Sequence, residues 1–340
     1  MNKTPVKIKF QNGLSFGHSV KEILSYVQHR FEFIDSDDPD FIIFGPYGND
    51  IPEKSNRYTR IGYYCENIKP DMSICEWAFG MPREEDVNDP RYRKIQWHDL
   101  NPGCLIKPED YNAEQIAAGK KKFCNFFYSH RVPYREEFFR QLSKYKQVDA
   151  PGMSMNNMGS IDELYTGGKW ERKRQFLSQY KFTIAFENYV YPGYQTEKLY
   201  DAMQVNSLPV YCGDPFIGDV FNTHSFLNAA DYLSPNRSGT IIKLEKYSQP
   251  DFTDIRPSFY KTPVHRIKRK LKTIGRGLKL NYEFRKMDFQ PLIDRIIELD
   301  QDQDKYIEML KQPWFVNNQP PASASLEDRW TEIFGSFKQQ

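Results

Sequence analysis

Short apolar runs recur along the chain, and the stretches between them repeat apolar positions every three or four residues. KIKF at 7–10, FEFI at 31–34, FIIFG at 41–45 and RIGYY at 60–64 have the length and the β-branched and aromatic content of strands, and 20–29 has a helical period. Turn-rich clusters at Pro90 and at Pro102 and Gly103 follow, and Pro108 marks a linker. A second series opens with a strand, KFCNFFYS at 122–129, then a helix at 135–145, the turn DAPG and a polar helix leading into 176–180. FTIAF at 182–186 has the continuous apolar character of a strand buried on both faces. A helix follows Thr196, its N-cap, with Leu199, Ala202 and Met203 as its apolar stripe, and LPVYC at 208–212 is a further strand. FLNAADYL, a charged insertion and helices at 292–299, 304–311 and 326–334 complete the pattern, the last with Ser325 as its cap. Strand and helix alternate throughout, which predicts an α/β protein.

Length divides the pattern. A chain of 340 residues exceeds one ordinary core and suits two, with boundaries expected at 1–117, 118–320 and a C-terminal helix in 321–340 that packs back on the first domain. Forty-seven basic and 45 acidic residues leave a net charge of +2, which lacks the excess expected of a nucleic-acid binder. The five cysteines are scattered, with no CxxC or Cys/His cluster, and predict unpaired thiols in a reducing compartment. No apolar stretch approaches the roughly 20 residues of a membrane span, and MNKTPVKIKF lacks a signal-peptide core. A cytoplasmic enzyme, peripheral at most on the inner face of a bacterial membrane, is expected.

Chemistry concentrates at residues 180–215. The strand at 182–186 ends abruptly in Glu187 and Asn188, and after a Gly/Pro/Tyr loop the helix opens with Glu197 and Lys198. A glutamate in a first turn suits the helix dipole, whereas a lysine beside unpaired N–H groups does not, unless an anion sits there too. A phosphate would be such an anion. In open α/β sheets ligands lie beyond the carboxyl ends of strands. Two other polar clusters hold that position: Glu66 and Asn67 after RIGYYC, and Arg131 to Arg135 after KFCNFFYSH. Each of these residues also has a plain structural reading, as a loop carboxylate, a first-turn side chain or a turn former.

SQYKFTIAFEN, nine residues ending in TEK, then a helix and LPVYCGDP resembles the donor-binding signature of the α1,3-fucosyltransferases, the bacterial branch in particular. YYCENIKPDMSICEWAFG at 63–80 and SHRVPYREEFFRQL at 129–142 resemble that family's stretches holding its base and its phosphate-binding arginine. The resemblance implies a GT-B fold, two Rossmann-like lobes facing across a cleft, and inverting transfer of L-fucose from GDP-fucose to a hydroxyl, O3 of GlcNAc or Glc, of an oligosaccharide or glycolipid acceptor of the Lewis-antigen or O-antigen kind. It implies that Glu66, in the acceptor-side N-terminal domain, is the general base, and that Glu197 faces the fucose ring. Arg135 and Lys198 would hold the diphosphate, and Asn188 and Tyr194 would contact the nucleotide sugar. No cofactor is then required; a divalent metal stays open but is not indicated. An alternative within the architecture is another GDP-sugar or acceptor hydroxyl, and a remote one is a basic membrane- or nucleic-acid-binding protein.

Asp35-x-Asp37 lies in a turn far from the signature and reads as a solvated loop, not an Mn²⁺ site, and the six histidines have no ligand spacing. The insertion at about 240–288 departs most from the family pattern. Within it 261–279 holds eight Lys/Arg and no acid, with Val264, Ile267, Leu271, Ile274 and Leu278 on one helical face. That face either packs on its own domain, helped by Phe259, Tyr260 and Tyr282, or lies on an anionic membrane.

Overall fold

The apolar runs become parallel strands in a computed structural model that describes residues 3–95, 102–233, 252, 262–284, 287–320 and 326–336. The chain divides into two units, Met1–Leu100 with Lys243–Arg276 and Ala322–Gln340, and Asn101–Ile242 with Gly277–Pro321. In the first, the elements run β1 Thr4–Gln11, α1 Phe16–Ile23, β2 Phe31–Asp35, β3 Phe41–Phe44, β4 Thr59–Tyr64, β5 Trp77–Gly80, α2 Glu84–Val87 and β6 Tyr92–Lys94. The strands form one sheet in the order β2-β1-β3-β4-β5-β6, parallel at every pairing. All of β3 is buried and β4 is buried after its first residue, as central parallel strands covered on both faces must be.

The second unit runs α3 Ala113–Gly119, β7 Lys122–Asn125, α4 Pro133–Leu142, β8 Val148–Asp149, α5 Lys169–Leu177, β9 Tyr180–Phe186, α6 Glu197–Gln204, β10 Leu208–Cys212 and β11 Leu227–Asn228. Its sheet has the order β11-β10-β9-β7-β8 and is likewise parallel, with Ile184 opposite Val210 at its centre. The expected strand 122–129 stops at Asn125; Phe126 still bonds Asp149, and the chain then turns toward α4. Pro133 opens α4, where its missing N–H is no loss.

Among the described residues the helices that follow are α7 Pro263–Phe284, α8 Gln290–Gln301 and α9 Gln303–Lys311, before α10 Glu327–Ser336. Gly275 and Gly277 do not break α7. Four of its apolar residues are not packed inward, Val264, Ile267, Leu271 and Leu278 being 62–73 % exposed, whereas Leu280 and Phe284 near its end pack against the core of the second unit. The sequence-based boundary kept the whole insertion with the second domain, whereas Arg276 and Gly277 here fall in different units. Phe259, Tyr260 and Ser325 lie outside the described residues. α10 belongs to the first unit, where Trp330 stacks on Phe79 with centroids 4.1 Å apart and Phe334 meets Phe41 edge-on at 5.0 Å.

Candidate active site

β9 and α6 are joined by the loop 187–196, and the loop is held from below. Glu187 continues the ladder through its N–H to the Cys212 carbonyl at 2.8 Å, and its side chain is wholly buried. Asp214 accepts from the Gly193 N–H at 2.9 Å and the Gln195 amide at 2.7 Å, fixing the turn in which Gly193 takes φ +80°. Thr196 stands at the N-cap of α6, but its hydroxyl does not cap. It donates to the Glu187 carboxylate at 2.8 Å, and its backbone N–H does the same at 2.8 Å.

Lys198 has an anion built into the protein. Its Nζ lies 3.3 Å from Glu187 Oε2 and 3.6 Å from Glu197 Oε1, and donates to Thr196 Oγ1 at 2.9 Å. Burial opposes the ammonium, yet Glu187 and then Glu197 outweigh it and leave the Lys198 pKa raised. Burial likewise pushes the Glu187 carboxyl up, against the pull of Lys198. Glu197 is part-exposed, and although burial works against its charge, Lys198 and Lys173 bring it down to about 2. One face of the first turn of α6 therefore presents an ammonium beside an ionised carboxylate. The expected anion at Lys198 is corrected in one respect: part of the lysine's charge is already balanced by Glu187, a residue whose charged side chain the sequence alone would place at the surface.

Arg135, expected to hold the diphosphate, does not take the exposed first-turn position of its plain structural reading. It is fully buried, its guanidinium 3.9 Å above the Tyr128 ring, and it donates to the Phe186 carbonyl at 3.3 Å, the His130 carbonyl at 2.7 Å and Asn188 Oδ1 at 2.9 Å. Tyr128 Oη in turn donates to the Ile184 carbonyl and accepts from the Phe186 N–H, each at 2.7 Å, and Tyr134 Oη donates to the Glu187 carbonyl. The positive charge of Arg135 works against the Lys198 ammonium. Tyr194 is 3 % exposed. Sequence reading missed Glu187, Tyr128, Lys173 and Asp214; the signal was present only as a second carboxylate at the strand end and an aromatic seven residues before Arg135. Arg131 is exposed and paired with Glu136 at 2.8 Å.

Glu66, in the first unit, follows the carboxyl end of β4 and is part-buried. Burial, then the Glu66 charge, push the Cys65 thiol up to about 11 and the phenol of Tyr47 upward as well. Asp37 is exposed and bonded to Lys9 at 2.6 Å, as a solvated loop residue. Among the described residues no three His, Cys, Asp or Glu side chains converge as a metal site.

A family model described as Alpha-(1,3)-fucosyltransferase FucT N-terminal domain matches residues 8–98, and one described as Glycosyltransferase family 10 (fucosyltransferase) C-term matches 117–249. The chain is 27 % identical over 269 residues to "Alpha-(1,3)-fucosyltransferase FucT" of Helicobacter pylori, covering 74 % of this chain and 52 % of that protein. It is 33 % identical over 150 residues to "Putative fucosyltransferase R654" of Acanthamoeba polyphaga mimivirus, covering 43 % and 24 %, and 33 % identical over 118 residues to "GDP-fucose protein O-fucosyltransferase 3" of Bos taurus, covering 34 % and 22 %. The chain thus spans about half or less of the length of these relatives. Its fold is that of an α1,3-fucosyltransferase crystal structure, with TM-score 0.63 at 20 % identity over 99 % of this chain and 91 % of that one. The crystal structure of an α1,3-fucosyltransferase with GDP-fucose gives 0.61 at 19 % identity, over 100 % and 92 %.

Proposed function

This chain belongs to glycosyltransferase family 10, the fucosyltransferases, and from that premise we propose that it transfers L-fucose from GDP-fucose to a glycan hydroxyl, O3 of GlcNAc or Glc, with inversion. The observation that carries the reading is the pairing of Lys198 with Glu197 at the start of α6, inside the residues that the family's C-terminal model matches. Departure of GDP builds charge on its diphosphate, and the buried ammonium of Lys198 opposes it where the surrounding protein screens little. Glu197, ionised throughout the physiological range, faces the positive charge that develops at the anomeric carbon. Glu66 takes the proton of the attacking hydroxyl. In this reading Arg135 holds the diphosphate together with Lys198 and, through its bond to Asn188 Oδ1, positions Asn188, which with Tyr194 contacts the nucleotide sugar. No step requires a resident metal. Incubation with GDP-fucose and a glycan panel should give fucosylated product, equally with and without EDTA. Transfer from GDP-mannose instead, or from no GDP-sugar, would overturn the reading.

The same reading puts the acceptor at a lipid surface. α7 carries seven Lys and Arg residues with apolar side chains exposed among them, the composition of a helix that lies in an anionic interface. No helix among the described residues is long and apolar enough to cross a membrane. The protein should sediment with phosphatidylglycerol vesicles and not with phosphatidylcholine vesicles, and Ile267→Asp with Leu271→Asp should release it. Equal, negligible binding to both vesicles would remove the membrane from the account.

A further inference from the structure

α6 opens with two carboxylates one turn apart. Glu197 and Asp201 are four residues from each other, a spacing at which side chains on a helix are neighbours and like charges repel. Glu197 is part-exposed, but Asp201 is buried, where a bare carboxylate is costly. The balancing cation comes from α5, which packs on α6: Lys173 Nζ lies 2.7 Å from Asp201 Oδ2. Burial pushes the Asp201 carboxyl up, and the charge of Lys173 is the first to oppose it. The rings of Trp170 and Phe127 stand 5.3 and 5.9 Å from the same Nζ, so more than one ion pair confines the ammonium. Its field extends to the first turn as well: burial works against the Glu197 charge, and Lys198 and then Lys173 overcome it. Lys173 and Lys198 also line one cavity of about 10 Å³, room for no more than a water, which offers a ligand no place between them.

We propose that Lys173 is a positioning residue for the transfer step: it neutralises Asp201, which would otherwise repel Glu197 from one turn below, and its own charge holds the Glu197 carboxylate in place toward the fucose ring. The proposal rests on the GDP-fucose reading, in which Glu197 opposes the positive charge that develops at the anomeric carbon. Charges then alternate along one chain of side chains, Asp201, Lys173, Glu197, Lys198 and Glu187. Lys173 is the member that ties the buried second turn of α6 to the first. A carboxylate that must face a transient cation gains from a fixed direction more than from a strong partner, because the pull it exerts depends on where its oxygens stand when the bond breaks. A cation on a neighbouring helix, behind the ring and away from the diphosphate, supplies that direction without competing for the leaving group.

Steady-state kinetics with GDP-fucose and the best acceptor of the glycan panel, beside calorimetric titration with GDP, tests this. The reference is Asp201→Asn, in which Lys173→Met leaves no buried carboxylate unpaired and the fold is spared. Against that reference, Asp201→Asn with Lys173→Met should lose about 10- to 100-fold in kcat, while GDP affinity stays within about threefold because Lys198 is untouched. Asp201→Asn with Lys173→Arg should recover most of the loss. The acid limb of the pH–rate profile should steepen in the Lys173→Met variant, since Glu197 then titrates beside the base. If Lys173 serves only to staple α5 to α6, Asp201→Asn has already broken the staple, and adding Lys173→Met changes neither kcat nor the acid limb. That result would overturn the proposal and leave the donor reading standing. A fall in GDP affinity with kcat kept would overturn it too, making Lys173 a donor contact. Absence of any transfer from GDP-fucose by the unaltered protein would overturn both.

Discussion

Lys198→Ala is expected to lower GDP affinity by roughly two orders of magnitude, the loss of a charged contact to the diphosphate, and to destabilise the second unit by about 3–5 kcal/mol. The second effect arises because Glu187, wholly buried, loses its counter-charge. The two effects separate in the double variant Lys198→Ala with Glu187→Gln, which should recover most of the stability in urea while GDP affinity stays low. The single variant should also show a pH signature. An acid whose folded pKa lies above its unfolded value binds more protons when folded, so stability falls as pH rises from the unfolded value toward the folded one. Glu187 is shifted in that direction already, and without Lys198 the shift grows; Lys198→Ala should therefore lose stability above about pH 4.5 more steeply than the parent. Parent-like GDP binding in Lys198→Ala would remove the anion site from α6.

Glu66→Gln should reduce kcat by on the order of 10²–10⁴-fold, the usual worth of a positioned base, while GDP affinity stays within about twofold. Glutamine keeps the shape and cannot take the proton. The acid limb of the pH–rate profile should vanish in this variant, since that limb reports ionisation of the base. If kcat survives and GDP binding falls instead, Glu66 is a donor contact and the base lies elsewhere.

What could be read from the sequence was what local pattern encodes. β9, α6 and β10 declare themselves by an apolar run, a cap and a helical stripe, all within 31 residues from Phe182 to Cys212. The strand Trp77–Gly80 and the helix Ala113–Gly119 did not, the first because four residues beside turn signals give no period, the second because AEQIAAG has hardly an apolar face. At the site, Lys198 was flagged by a conflict with its own helix, which is a local fact. Its resolution by Glu187, across an intervening loop, is a tertiary fact that no propensity contains. Arg135 is the same lesson in reverse: a charged residue reads as exposed until the Tyr128 ring and two carbonyls around it are known. The apolar stripe of α7 was legible, but whether anything covers it was not, because a three-and-four period states only that a face exists.

The place of α10 in the first unit has a consequence for biogenesis. A ribosome that has delivered β1 through β6 has delivered a sheet whose partner ring for Phe79 is still unmade, for Trp330 comes some 250 residues later. At 5–20 residues per second that interval is on the order of ten seconds to a minute. During it the second unit emerges with its own strands in hand, so the domain encoded first is the one completed last. The nascent sheet must spend that time with Phe31, Phe41 and Phe79 uncovered by the residues that later seal them, and a holdase in the cell has a defined window in which to act.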